Sequence, residues 1–221
     1  MRTMRLIQYS IYLSLLALVP LIADTEILPY ADRTVSKNTP FTVAEPSHAL
    51  RVSARGDHAH KTYLVFDLGE LGHREVAKIR AAKLSLTTLE SHYLIGYASG
   101  TVSLSVYGVK SVVNDPNLAK ITWEDAPAND IASPSLVLDG KAELLATLEI
   151  DTGSLSGEEV LQWTDERLVS FIQRIGYDSD DAMYLMLVIV SDGMVQDPGI
   201  NFYSNKGTSL SEREPKLVLS P

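Results

Sequence analysis

The chain has no cysteine. That absence excludes disulfides, thiolate metal sites, a cysteine nucleophile and attachment through a lipid-modified cysteine. Stability outside a cell would then have to come from an apolar core. Positive charge is also scarce, with 19 Lys and Arg against 28 Asp and Glu. The shortage falls on the second half, where residues 111–221 hold 7 basic and 19 acidic side chains, against 10 and 9 in residues 24–110. Phosphate binding needs a clustered positive surface, so nucleic acid is excluded as a natural partner, and the acidic half reads as a solvated surface. No linker rich in Gly, Ser or Pro divides the chain. At 221 residues and 45% apolar composition, it fits one domain of ordinary size with a real core.

The first 23 residues read as a leader. Arg2 and Arg5 precede an uncharged run from Leu6 to Ala23, and the small Ala23 stands before Asp24. This pattern predicts a cleavable signal peptide over 1–23 and export of a domain spanning 24–221. Pro20, close to the expected cut, argues against a continuous membrane-spanning helix.

Beyond the leader, strand patterns dominate. In Lys61 to Leu68, Thr62, Leu64, Phe66 and Leu68 share one face of an extended chain, and Lys61, Tyr63, Val65 and Asp67 share the other. The stretch is expected to be a central, half-buried strand with Phe66 inward and Tyr63 outward. Further strands are predicted over Ile27 to Val35, Leu50 to Ser53, Ile79 to Leu89, Thr101 to Val109, Ile121 to Trp123, Gly199 to Ser204 and Lys216 to Leu219. Met183 to Val190 is apolar enough to be buried on both faces. One helix is expected late in the chain: Ser156 to Glu159 has the form of a capping box, Val160 to Ile175 shows helical spacing with Trp163 on the apolar side, and Gly176 is a plausible stop. The pattern predicts an all-β, two-layer antiparallel β-sandwich of jelly-roll type.

Eight short segments carry a further signal through their order. They are Ala31-Asp32-Arg33-Thr34-Val35, Leu50-Arg51-Val52, Lys61 to Leu68, Ala82 to Leu86, Val106 to Val109, Ile121 to Pro127, Phe202-Tyr203-Ser204 and Pro215 to Val218. This order resembles the DNRLRE-type domain, also classed as carbohydrate-binding module family 96, over nearly all of the chain after the leader. Thr62 departs from the family pattern, which usually has Ala there, and so does the acidic second half. The resemblance implies a secreted, non-catalytic module for an acidic polysaccharide. Alginate-binding members use basic residues in this region with a late tyrosine, which implies such roles for Arg51, Lys61 and Tyr203. Modules of this kind usually accompany a polysaccharide-degrading enzyme, which makes such an enzyme an expected partner.

The residues themselves point the same way. Arg51, Arg55, Lys61 and Tyr63 lie on two sequential strands and their turn, and Tyr203 with Lys206 lies near the chain's end. Arginine forks match carboxylate or sulfate, lysine supplies a point charge, and an aromatic ring covers a pyranose face. No cofactor is required by this reading. Asp178, Asp180 and Asp181 crowd one turn and, with backbone carbonyls, would suit a structural calcium. His58 and His60, joined by His48 or His73, would be the weaker metal set. Glu124 with Asp125, and Glu158 with Glu159, are paired carboxylates, read respectively as part of a tryptophan-anchored loop and as a helix cap rather than as an acid/base pair. Trp123 is expected to pin that loop to the core. The alternatives to glycan binding are a structural or adhesive envelope protein, or a small lyase in which Tyr203 near Lys206 supplies the base.

Overall fold

The computed structural model describes residues 23–38, 49–89, 100–110, 118–155, 157–178, 183–192, 199–205 and 212–221. Among these residues eleven strands form: β1 (Thr25–Ile27), β2 (Ala31–Ser36), β3 (Ala49–Val52), β4 (His60–Asp67), β5 (Ala81–Thr87), β6 (Thr101–Val109), β7 (Ala142–Asp151), β8 (Val160–Thr164), β9 (Tyr184–Ser191), β10 (Ile200–Tyr203) and β11 (Lys216–Ser220). The described α-helices are a four-residue one, α1 (His73–Val76), and a longer one, α2 (Glu166–Asp178), beside short 3-10 turns.

All strand pairings among the described residues are antiparallel. One sheet runs β2-β4-β9-β6-β7 and the other β1-β11-β5-β8, with the two-stranded ribbon β10-β3 beside the second. The ribbon is tied to the end of β5 by the Thr88↔Phe202 bridge and by the Leu89 N–H donating to the Asn201 carbonyl. Leu64, Phe66, Leu104, Leu187 and Ile189 from the five-stranded sheet meet Leu84, Leu86, Trp163, Leu217 and Leu219 from the four-stranded one, and Leu50, Val52 and Phe202 of the ribbon join the same core. The protein is a two-layer antiparallel β-sandwich.

The other face of the five-stranded sheet is covered as well. Val35, Tyr63, Val65, Met186, Val188 and Val190 pack beneath Leu118, Trp123 and Ala126 from the connection between β6 and β7. β4 is therefore buried on both faces, and the expectation that Tyr63 points to solvent is overturned: its ring is fully enclosed and its hydroxyl donates to the Pro127 carbonyl at 3.0 Å. Strictly alternating polarity did not report this cover, because the apolar partners come from a connection more than fifty residues further along. β4 is an interior strand, but the middle of its sheet is β9, with both faces buried as its apolar run predicted.

Several elements differ from the sequence reading. Pro29, which lacks the N–H a ladder needs, separates β1 from β2, and the two lie in different sheets. Val160–Thr164 is strand β8, so Trp163 reaches the core from a strand. α2 begins at Glu166, capped by Asp165, whose carboxylate accepts from the Arg167 N–H at 2.9 Å. Gly176 lies inside α2, where a Cβ would stand 2.7 Å from Val76 Cγ1 of α1, so it permits helix packing rather than stopping the helix. Ile121–Trp123 is not a strand but leads into a turn at Trp123, and β6 pairs with β7 and β9.

Candidate functional site

The outward face of the β3–β10 ribbon collects the surviving site residues. Antiparallel register sets Arg51 opposite Asn201 and Ala49 opposite Tyr203. Residues directly opposite share a face, so Arg51 and Tyr203 are diagonal neighbours, about 7–8 Å apart in such ladders. Leu50, Val52, Ile200 and Phe202 point the other way, into the core, leaving Arg51 exposed and Asn201 and Tyr203 partly so.

β3 is held in place by hydroxyls. The Ser53↔His60 bridge joins it to the start of β4, and beyond that point Thr62 Oγ1 donates to the Arg51 carbonyl at 2.9 Å while the Arg51 N–H donates to Thr34 Oγ1 at 2.9 Å. Thr34 and Thr62 are a cross-strand pair with hydroxyls 3.3 Å apart. The hydroxyl at position 62, the departure from the resembled pattern, thus satisfies the backbone of the arginine that faces solvent.

Tyr203 is engaged from two sides. Its hydroxyl donates to Glu158 Oε1 at 2.5 Å and accepts from Arg213 Nη1 at 3.1 Å, and the Arg213 guanidinium lies over the ring at 5.3 Å from its centroid. Arg213 and Glu158 close the triangle with a 2.5 Å ion pair. The hydrogen bond to Glu158 holds the Tyr203 phenol above its ordinary pKa. Glu158, read from sequence as part of a helix cap, instead orients this tyrosine. Arg213 went unnoticed because nothing in its local sequence signals a contact with position 203.

His60 sits beside Arg51. Its Nδ1 is 2.7 Å from Ser36 Oγ, and burial, with the positive neighbours Arg51 and His58, depresses its pKa to about 4. Arg55 and His58 are exposed in the adjoining turn.

Lys61 does not belong to this surface. Its side chain is fully buried on the opposite face of β4, and Nζ donates to Asn129 Oδ1 at 2.7 Å and to the carbonyls of Leu136 at 2.6 Å, Ser133 at 2.9 Å and Asp130 at 3.3 Å. The Trp123 ring lies beneath it, 4.6 Å from Nζ to the centroid. Burial pulls the ammonium down to a pKa of about 8, against the opposing pull of the Asp130 carboxylate. With every proton directed into the protein, Lys61 cannot grip a ligand, and the enclosed Tyr63 cannot stack on one. Trp123 does pin the loop as expected, donating from Nε1 to the Ile131 carbonyl at 3.2 Å.

Lys206, Asp180 and Asp181 lie outside the described residues, as does His48; Asp178 is the last residue of α2. His73 is turned to the Gly176 carbonyl at 2.8 Å. Among the described residues no group of three or more His, Asp or Glu is placed to hold a metal ion. Asp125 accepts from the Thr122 N–H and hydroxyl, which lowers its pKa and locks the turn. No described helix is long and apolar enough to cross a membrane.

No protein-family model matches the chain, and no curated protein matches it in sequence. The fold and the site define it as an all-β sandwich that presents a polar, partly aromatic ribbon.

Proposed function

We propose that this is a secreted, non-catalytic carbohydrate-binding protein for an acidic polysaccharide, such as alginate or another uronate-rich or sulfated glycan, working beside a polysaccharide-degrading enzyme. The observation that carries the reading is the outer face of the β3–β10 ribbon, where exposed Arg51 stands diagonal to Tyr203. The order of motifs that resembles the DNRLRE-type domain supports it. In this reading Arg51 and Arg55 meet carboxylate or sulfate, and Tyr203, steadied by Glu158 and Arg213, packs on a sugar ring.

Titration with soluble alginate, a sulfated glycan and a neutral glycan at low and physiological ionic strength tests the proposal. Affinity for the acidic glycans is expected to fall with salt. Arg51→Ala should weaken binding by roughly tenfold or more without lowering stability, since a charge-assisted hydrogen bond contributes about 1.5–3 kcal/mol. Tyr203→Ala should weaken acidic and neutral ligands alike. Absence of binding to every acidic glycan would sink the reading.

A second reading, a structural or adhesive envelope protein, is favoured by Ile131, Leu136 and Leu138, large apolar side chains exposed on one connection. Self-association in place of glycan binding would bring it forward. A lyase is disfavoured, because a base must give up its proton readily and the bond to Glu158 makes the Tyr203 phenol less acidic.

A further inference from the structure

Four oxygens converge on one point above the five-stranded sheet, all from residues 129–136: Asn129 Oδ1 and the carbonyls of Asp130, Ser133 and Leu136, at 2.6–3.3 Å from Lys61 Nζ. Carbonyl dipoles aimed at a common centre repel one another and hold only around a positive charge, which is how carbonyl rings replace the hydration shell of a monovalent ion. No carboxylate comes within ion-pair distance of Lys61 among the described residues, so carbonyl dipoles and the Trp123 face supply the direct contacts, with the Asp130 carboxylate adding only attraction from further off. The spacing is wider than the roughly 2.3–2.6 Å of calcium–oxygen contacts. It suits an ammonium group or a large monovalent ion.

We propose that residues 129–136 form a monovalent-cation site whose resident cation is the tethered ammonium of Lys61, and that when the tether is cut back the site takes a free primary ammonium or potassium. The cage sets the rest of the connection. Asn129 also donates from Nδ2 to the Trp123 carbonyl at 2.5 Å, and Trp123 in turn holds Ile131, so one positive charge orders the segment that covers Tyr63 and Val188. This site is separate from the ribbon and does not depend on the glycan reading.

The test is Lys61→Ala, which removes the equivalent of n-propylammonium, studied at pH 7 in matched concentrations of n-propylammonium, ammonium, potassium and tetramethylammonium chlorides. Tryptophan emission and Tm are the readouts. The variant should melt below wild type and recover by about 3–6 °C at ten times the dissociation constant of n-propylammonium, ammonium or potassium. Tetramethylammonium, which has no N–H to donate, should do nothing, and wild type should respond to none of the salts. Equal responses to all the salts, or no response, would overturn the proposal. Should Lys61→Ala not fold, Lys61→Met fills the same space without charge. Selective proteolysis within 118–141 in that variant is the expected result, and a wild-type Tm with an intact connection would overturn the site.

Discussion

Tyr63 and Phe66 sit on opposite faces of one strand, and both are fully enclosed. Truncating either leaves a cavity, so Tyr63→Ala and Phe66→Ala should each cost about 3–5 kcal/mol in denaturant melts. Tyr63→Phe keeps the ring but strands the Pro127 carbonyl, at a cost of about 1 kcal/mol. A Tyr63→Ala loss well below that of Phe66→Ala would mean the outer cover is loose. His60 makes a different prediction. Its folded pKa of about 4 lies below the ordinary 6.5, so between those values the unfolded chain binds more protons than the folded one. This contribution to stability is complete above pH 6.5 and is lost as pH falls towards 4, no more steeply than about 1.4 kcal/mol per pH unit. His60→Asn should flatten that part of the stability–pH curve, with urea melts at successive pH values as the check.

Among the elements, α2 is seated by a second close approach besides the one at Gly176. A Cβ at Gly108 would lie 2.5 Å from Phe171 Cζ, so the glycine lets the helix seat its aromatic ring on β6. Gly108→Ala should destabilise by about 1–3 kcal/mol, and pairing it with Phe171→Leu should recover part of the loss in a double-mutant cycle. What the sequence revealed about elements followed how regular each was. β6 alternates cleanly, and Thr101–Val109 was legible to the residue. β7 was missed because the register shifts between Val106 and Tyr107, where Leu145 is an extra residue in the ladder, and that bulge breaks the alternation of the strand. The helix start was misplaced because Ser156 to Glu159 has the form of a capping box, whereas Glu158 serves Tyr203 and Asp165 caps α2. Lys61 was misread for a related reason: its acceptors are mostly backbone carbonyls some seventy residues away, and carbonyls leave no trace in side-chain identity.

At the scale of the whole molecule, the two layers of the sandwich were legible, while the third layer, the connection that covers the outer sheet face, showed only in part, through the anchor Trp123 and the wholly apolar run of β9. That covering has a consequence in time. β9 lies between β4 and β6 in the middle of its sheet, and both of its faces are shut off from water. An amide trades its hydrogen for deuterium only when its bond opens, and a strand with neighbours on every side has no small excursion that opens it. The β9 amides should therefore exchange last and together, at the free energy of global unfolding, whereas those of β7, at the sheet edge, should exchange sooner. Mass spectrometry of peptides from deuterated protein would resolve the two rates, and early exchange in β9 would contradict the arrangement. The labelled β9 peptide would then serve as a clock for the lifetime of the folded chain.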